Sequence, residues 1–161
     1  MIIVDCEASG LHPESYPIQI AWLNVDTEEC GSFYIRPHET WTYWDYNAEE
    51  VHNIPMQLLL DVGLDVYSAA QRFLDVLYEH GPVIISDAPE FELFWLERLL
   101  DTANVAHDIE LDVNYVYDIA RSRSHARRMG EIMRGQKRSH DALDDCRSIL
   151  AAIRGARDEE E

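Results

Sequence analysis

Three apolar residues, Ile2 to Val4, run without interruption into Asp5, Cys6 and Glu7. An apolar run this short reads as a strand covered on both faces, at the centre of a sheet. Side chains two apart on a strand leave the same face, so Asp5 and Glu7 project together and Cys6 projects to the opposite side, where its role is structural. Two carboxylates at that separation repel, and one keeps its proton unless a cation lies between them. Such a pair either faces water at a strand end or holds a divalent ion, and spacing alone favours the first. If an ion is held, all-oxygen ligands suit Mg2+ or Mn2+ better than zinc.

The remaining elements follow from turn residues and periodicity. The turn SGLHPESYP leads into a second strand over 18–25, DTEE turns back, and CGSFYIRP forms a third strand over 30–37. Short turns between consecutive strands predict an antiparallel meander. Residues 38–54 are aromatic and irregular, with a short helix around Glu49 to His52. A helix over 68–81 ends at Gly81, and the apolar strand VIIS over 83–86 follows it. Strand after helix implies a parallel crossover into the same sheet. Helices are expected over 89–103, 113–122, 124–134 and 140–155. The pattern predicts an α/β or α+β fold with a mixed sheet, as one domain over 1–155 with an acidic tail over 156–161.

The last helix carries the clearest stripe: Ala142, Leu143, Cys146, Ile149, Leu150 and Ile153. At ~100° per residue Asp145 falls at the edge of that stripe and Asp144 on the far side, towards solvent. Asp145 is therefore the acid held against the core, where a carboxylate needs a partner.

Charge limits the partners. The chain has 161 residues, is 47% apolar and carries a net charge of −18, which repels nucleic acid. Yet 7 of its 13 Lys and Arg fall within 121–138, namely Arg121, Arg123, Arg127, Arg128, Arg134, Lys137 and Arg138, opposed there only by Glu131. That stretch is either a solvated helix surface or a surface that meets phosphates. The three cysteines show no zinc or redox spacing and read as reduced thiols of a cytoplasmic protein. No apolar run is long enough for a bilayer, and acids directly after four apolar residues do not make a signal peptide.

The string DCEASGLHPESYPIQIA, residues 5–21, resembles the first motif of the DEDDh exonucleases, and oligoribonuclease in particular. SHDALDDCRSIL, residues 139–150, resembles their third motif and places its histidine at His140 and its aspartate at Asp145. SDAPEFELFWL, residues 86–96, is similar to the second motif, with Asp87 where the family has Asn and Glu92 where it has Asp. Glu92 is favoured as the third carboxylate, with Asp87 as the alternative. The three motifs run in the family's order from residue 5 to 150.

The resemblance implies a ribonuclease H-like mixed sheet, its first three strands antiparallel and the later ones parallel, flanked by helices. It implies 3′-5′ hydrolysis of single-stranded ends to nucleoside monophosphates with two Mg2+ (or Mn2+). Asp5 would be shared by both ions, Glu7 and Asp145 would hold one, Glu92 the other, and His140 would accept a proton, a task suited to imidazole. Ser9, Gly10 and Leu11 match positions where the family holds its terminal nucleotide, and EVHNI, residues 50–54, resembles a His-containing stretch that lines the cleft in relatives, which makes His52 and Ile54 candidates as well. Trp41, Tyr43, Trp44 and Tyr46 either stack bases or pack a long loop. RNA is favoured over DNA, and a homodimer is implied, both through oligoribonuclease alone. Two other readings remain: a nucleic-acid-binding regulator that has lost catalysis, and a phosphatase acting on free nucleotides.

Overall fold

The computed structural model describes residues 1–156, so the acidic stretch 157–161 lies outside the described residues. The five strands are β1 (Ile2–Ala8), β2 (Pro17–Asn24), β3 (Cys30–Tyr34), β4 (Val83–Ser86) and β5 (Asp112–Tyr115). The helices are α1 (Tyr46–His52), α2 (Met56–Val62), α3 (Val66–His80), α4 (Pro89–Ala103), α5 (Arg123–Gly135) and α6 (Ala142–Gly155).

The sheet order is β3-β2-β1-β4-β5, so β1 is central. β1, β2 and β3 form the antiparallel meander, and β4 and β5 add in parallel to β1. The strand alternation divides the core in two. Ile2, Val4 and Cys6, with Ile18 and Ile20, pack with residues of α3 and α4. Ile3, Ala21, Leu23 and Ile85 pack with α6 and Met129 of α5. Asp5 and Glu7 share the parity of Ile3, so they stand on the α6 side.

The structure corrects the sequence expectation over 113–122. That segment is not a helix but β5 followed by a single 3-10 turn, Val116–Ile119. Val113, Val116, Tyr117 and Ala120 have helical spacing, but Val113 packs with one core cluster and Val116 with the other. A segment that crosses the sheet edge from one layer to the other mimics helical periodicity without forming a helix. The helix α2 has no counterpart in the sequence reading, because Leu59 is its only buried residue and one apolar position makes no stripe.

Gly63 ends α2 where the chain rejoins β3. Leu64 N–H donates to Tyr34 O (2.9 Å) and Arg36 N–H donates to Leu64 O (2.7 Å). A Cβ on Gly63 would lie 2.4 Å from the Leu59 carbonyl oxygen and 2.6 Å from the Arg36 nitrogen. Both obstacles are backbone, so Gly63→Ala is expected to cost about 1–3 kcal/mol as overpacking. A thermal melt would read this as a drop of roughly 2–4 °C per kcal/mol for a chain of this size. An unchanged midpoint would mean that the two segments separate freely.

Candidate active site

The site lies where β1 outruns its parallel neighbour. β4 pairs with β1 only at Ile2 and Ile3, and it ends at Ser86. Beyond that level one edge of β1 has no strand beside it, and α4 fills the gap. Glu92, in the first turn of α4, is 3% exposed and accepts a hydrogen bond from Ser86 Oγ at 2.6 Å. The β4–α4 turn is held by the same hydroxyl, which accepts from Ala88 N–H at 2.9 Å. Space at the carboxyl ends of strands is where open α/β sheets place their sites.

From the opposite layer, α6 presents Asp145, buried, while Asp144 is exposed and pairs with Arg147. Asp141 caps α6, accepting from Leu143 and Asp144 N–H, so His140 stands just before the helix, not within it. His140 adopts left-handed backbone, φ 55°, a conformation uncommon for a residue with a Cβ. One ligand atom each from Glu7, His140 and Asp145 can be chosen so that all lie within 4.8 Å of one another.

Electrostatics ties the four carboxylates together. Burial raises Asp5 well above its usual range, and Glu92, Glu7 and Asp145 raise it further, in that order. Glu7 is pushed up to about 8, first by burial and then by Asp145, Asp141 and Glu92. Glu92 is raised to about 7 by burial, although hydrogen bonding from Ser86 pulls the other way. Asp145 is raised by burial, against the lowering pull of Arg138 and His140.

Divalent cations fit this donor set. Asp145 Oδ1 is buried and has no hydrogen-bond partner among the described residues, as expected of an oxygen shaped for an ion. Burial opposes the charge of all four carboxylates, and at Asp5 and Glu7 their neighbours add repulsion, so added positive charge suits the site.

A pH dependence follows. Glu7 and Glu92 ionise near 8 and 7 in the folded protein, against an ordinary value of 4.5. The folded state therefore holds protons that the unfolded chain has released, and its stability falls as pH rises between those limits. The metal-free melting temperature is expected to drop from pH 5 to pH 8. Saturating Mg2+ or Mn2+ is expected to raise it more at pH 8, where fewer protons compete. Scanning fluorimetry in EDTA and in either cation checks both; equal metal-induced shifts at the two pH values would contradict the cluster.

The remaining sequence candidates are placed unevenly. Asp87 is not among the acids that raise Asp5 or Glu7; it forms an ion pair with Arg138 instead. Leu11 is 74% exposed beside the end of β1, free to touch a ligand. Ser9 is fully buried and its hydroxyl accepts from Tyr16 N–H (3.2 Å), while Ile54 belongs to the core. Gly10 is buried where the aromatic loop crosses; a Cβ there would lie 2.8 Å from the Tyr43 ring. These three can offer a ligand only backbone. His52 is buried, its Nδ1 accepts from Ile54 N–H, and burial lowers its pKa, so it stays neutral at pH 7.

In the aromatic loop, Trp41 stacks on Tyr16 and Trp44 donates to Glu49, so both pack the loop. Tyr43 stacks on His12, and Tyr46 alone of the four is largely exposed. Gln19 was missed by the sequence reading. It lies opposite Glu7 in the β1–β2 register, is 2% exposed, and contacts Asp141 and Ala142 N–H at the start of α6. A glutamine at an inward-facing position of an apolar strand was the available signal.

The sheet order and flanking helices define the ribonuclease H-like fold, shared with solved exonuclease structures. One is the zinc-bound form of the E. coli exonuclease I–ssDNA complex, with TM-score 0.76, 16% identity, and coverage of 99% of this chain and 40% of that one. A moderately thermophilic exonuclease I from Methylocaldum szegediense also gives TM-score 0.76, at 15% identity, with coverage of 99% and 40%. E. coli exonuclease I in complex with a dT13 oligonucleotide gives 0.73, at 15% identity, with coverage of 97% and 40%. The chain thus spans about two fifths of the length of these structures. No family model matches the chain, and no curated protein matches it. No helix among the described residues is long and apolar enough to cross a membrane.

Proposed function

We propose that the protein is a divalent-metal-dependent 3′-5′ exonuclease of the DEDDh type that acts on single-stranded nucleic acid ends. The observation that carries this is the convergence of Asp5, Glu7, Glu92 and Asp145, with His140 beside two of them, at the carboxyl end of the central strand. Asp5, Glu7, Glu92 and Asp145 would hold two cations, Mg2+ or Mn2+, which supply positive charge against the attacking and leaving oxygens of a phosphodiester. His140, held next to Glu7 and Asp145, accepts the proton of the attacking water on its imidazole. Leu11 offers an apolar edge to the terminal base, and the backbone of Ser9 and Gly10 borders the same end of β1.

Two polymers compete as substrate. The oligoribonuclease-like motifs favour RNA, and the single-stranded DNA in the exonuclease I complexes favours DNA. End-labelled RNA and DNA oligomers incubated with Mn2+ or Mg2+ decide between them. Stepwise loss of 3′ nucleotides, abolished by EDTA, is the expected outcome, and the faster polymer is the substrate. Tight binding without cleavage of either would support the regulatory reading instead. Release of inorganic phosphate from free nucleotides, with intact oligomers, would support a phosphatase. A homodimer belongs to the same proposal through the oligoribonuclease resemblance, and light scattering of the purified chain reads it directly.

A further inference from the structure

The carboxylate cluster creates a difficulty for any polyanionic substrate, because a chain of net charge −18 repels it before it reaches the site. The cations nearest the cluster should therefore supply the hold. They border an open hollow of about 410 Å³, lined by Asp87, Tyr115, Tyr117, Met133, Arg134, Gln136 and Arg138. This volume lies within the ~300–1,000 Å³ range of ligand sites. A second hollow shares Asp87, Met133, Gln136 and Arg138 with the first and extends to Asp145. The second hollow is small, about 20 Å³, and the two adjoin through these shared residues, with Asp145 at one end and Tyr115 of β5 at the other.

The chemistry along the two hollows alternates in a way that suits one class of ligand. Arg134 and Lys137 form no ion pair among the described residues, whereas Arg138 is paired with Asp87 beside the cluster. Tyr115 is 41% exposed, and Tyr117 meets it edge-to-face with ring centroids 4.9 Å apart. Tyr117 is fixed in turn by its hydroxyl, which donates to the Met133 sulfur (3.6 Å), so Tyr115 rests on a braced ring. A rigid exposed aromatic face beside unpaired arginine matches a base next to its phosphate.

We propose that this groove binds the sugar-phosphate backbone of a single strand on the 5′ side of the cleaved bond, with one base stacked on Tyr115. Arg134 and Lys137 meet the phosphates, and Arg138 lies where the strand passes to the carboxylates. The inference rests on the exonuclease reading for its direction, but the binding it predicts is measured without turnover. The groove is distinct from the Leu11 end of the cleft, which faces the terminal nucleotide.

The test uses fluorescein-labelled single-stranded 12-mers and dinucleotides, with anisotropy read in EDTA across a salt series. Tyr115→Ala is expected to weaken 12-mer binding roughly 5- to 150-fold, the range of one base stack, and to do so at every salt concentration. Tyr115→Phe should restore it. Arg134→Ala should weaken 12-mer binding more at low salt and lower the slope of log K against log salt by about 0.7, the loss of one phosphate contact on a single strand. Neither variant should change dinucleotide binding. Equal losses on the dinucleotide and the 12-mer would overturn the groove, since the effect would then lie at the carboxylates. Unchanged 12-mer binding in both variants, or no 12-mer binding by the unaltered protein, would overturn it too. If the variants lose 12-mer binding as expected and no form cleaves with Mn2+ added, the exonuclease reading fails and the groove stands.

Discussion

Asp5→Asn is expected to lower cleavage by about 10³-fold or more and, at the same time, to raise the melting temperature of the metal-free protein. Both effects have one cause. Asp5 is 8% exposed, and its charge is opposed by burial and by Glu92, Glu7 and Asp145. Asparagine keeps the shape and removes the charge. Without metal, the fold no longer bears a carboxylate surrounded by carboxylates, and each kcal/mol relieved is worth about 2–4 °C in a chain of this length. With substrate, the proposed site would lose one of the four carboxylates that would hold the cations. Several kcal/mol of transition-state charge stabilisation rest on such ions, and each 1.36 kcal/mol is about tenfold in rate. A functional cluster held against its own stability behaves this way. Steady-state cleavage and a melt in EDTA at pH 8 check the pair of effects. Cleavage within tenfold of the unaltered protein would remove Asp5 from the chemistry. A lowered melting temperature would mean that its carboxylate stabilises the fold.

Glu92→Gln is expected to lower cleavage by roughly 10²–10³-fold, a few kcal/mol of lost ion-held charge stabilisation, and, like Asp5→Asn, to raise the metal-free melting temperature at pH 8. Asp87→Asn is expected to stay within about tenfold, since it breaks one partly exposed ion pair of the kind worth ~0–1 kcal/mol. The contrast comes from placement. Glu92 is buried against Ser86 and adds to the repulsion on Asp5 and Glu7, while Asp87 turns to Arg138. Glutamine can still accept the Ser86 hydrogen bond, so a loss of activity reports on charge and not on the α4 start. Single-turnover cleavage at saturating metal makes the comparison. The reverse order of the two variants would hand the third carboxylate to Asp87.

The identity of that third acid shows the limit of reading motifs along a chain. Asp87 and Glu92 lie five residues apart around a helix start, and both can reach a site in principle. What separates them is the length of β4. Because it stops at Ser86, the gap beside β1 opens to the first turn of α4. Strand length on a neighbouring element leaves no trace in the residues around 87–92. Gln19 escaped notice for a similar reason: its importance comes from facing Glu7 across the β1–β2 register and from touching the start of α6, more than 120 positions away.

Elements with a deep apolar stripe were legible. The strands β1 and β2, the helix at 89–103 and the choice of Asp145 over Asp144 all followed from period and phase, because in each the core contacts repeat along the element, and β3 followed from the turn that precedes it. Elements that touch the core once and follow no such turn were not. The helix α2 has one buried residue, and the segment 113–122, which was expected to be helical, contributes most of a four-residue edge strand and a single turn.

The sequence by itself therefore determined which groups are available: two carboxylates on one face of a buried strand, an aspartate pressed against the core by helical phase, and a histidine five residues before it. These are local properties, dictated by the two periodicities of backbone geometry. Only the tertiary structure decided how those groups meet. The early end of β4 admits Glu92, the left-handed turn at His140 sets it beside Glu7 and Asp145, and the Asp87–Arg138 pair joins the cluster to a basic groove. Those outcomes depend on which strands lie side by side and where each one stops, and burial then converts proximity into repulsion among the carboxylates.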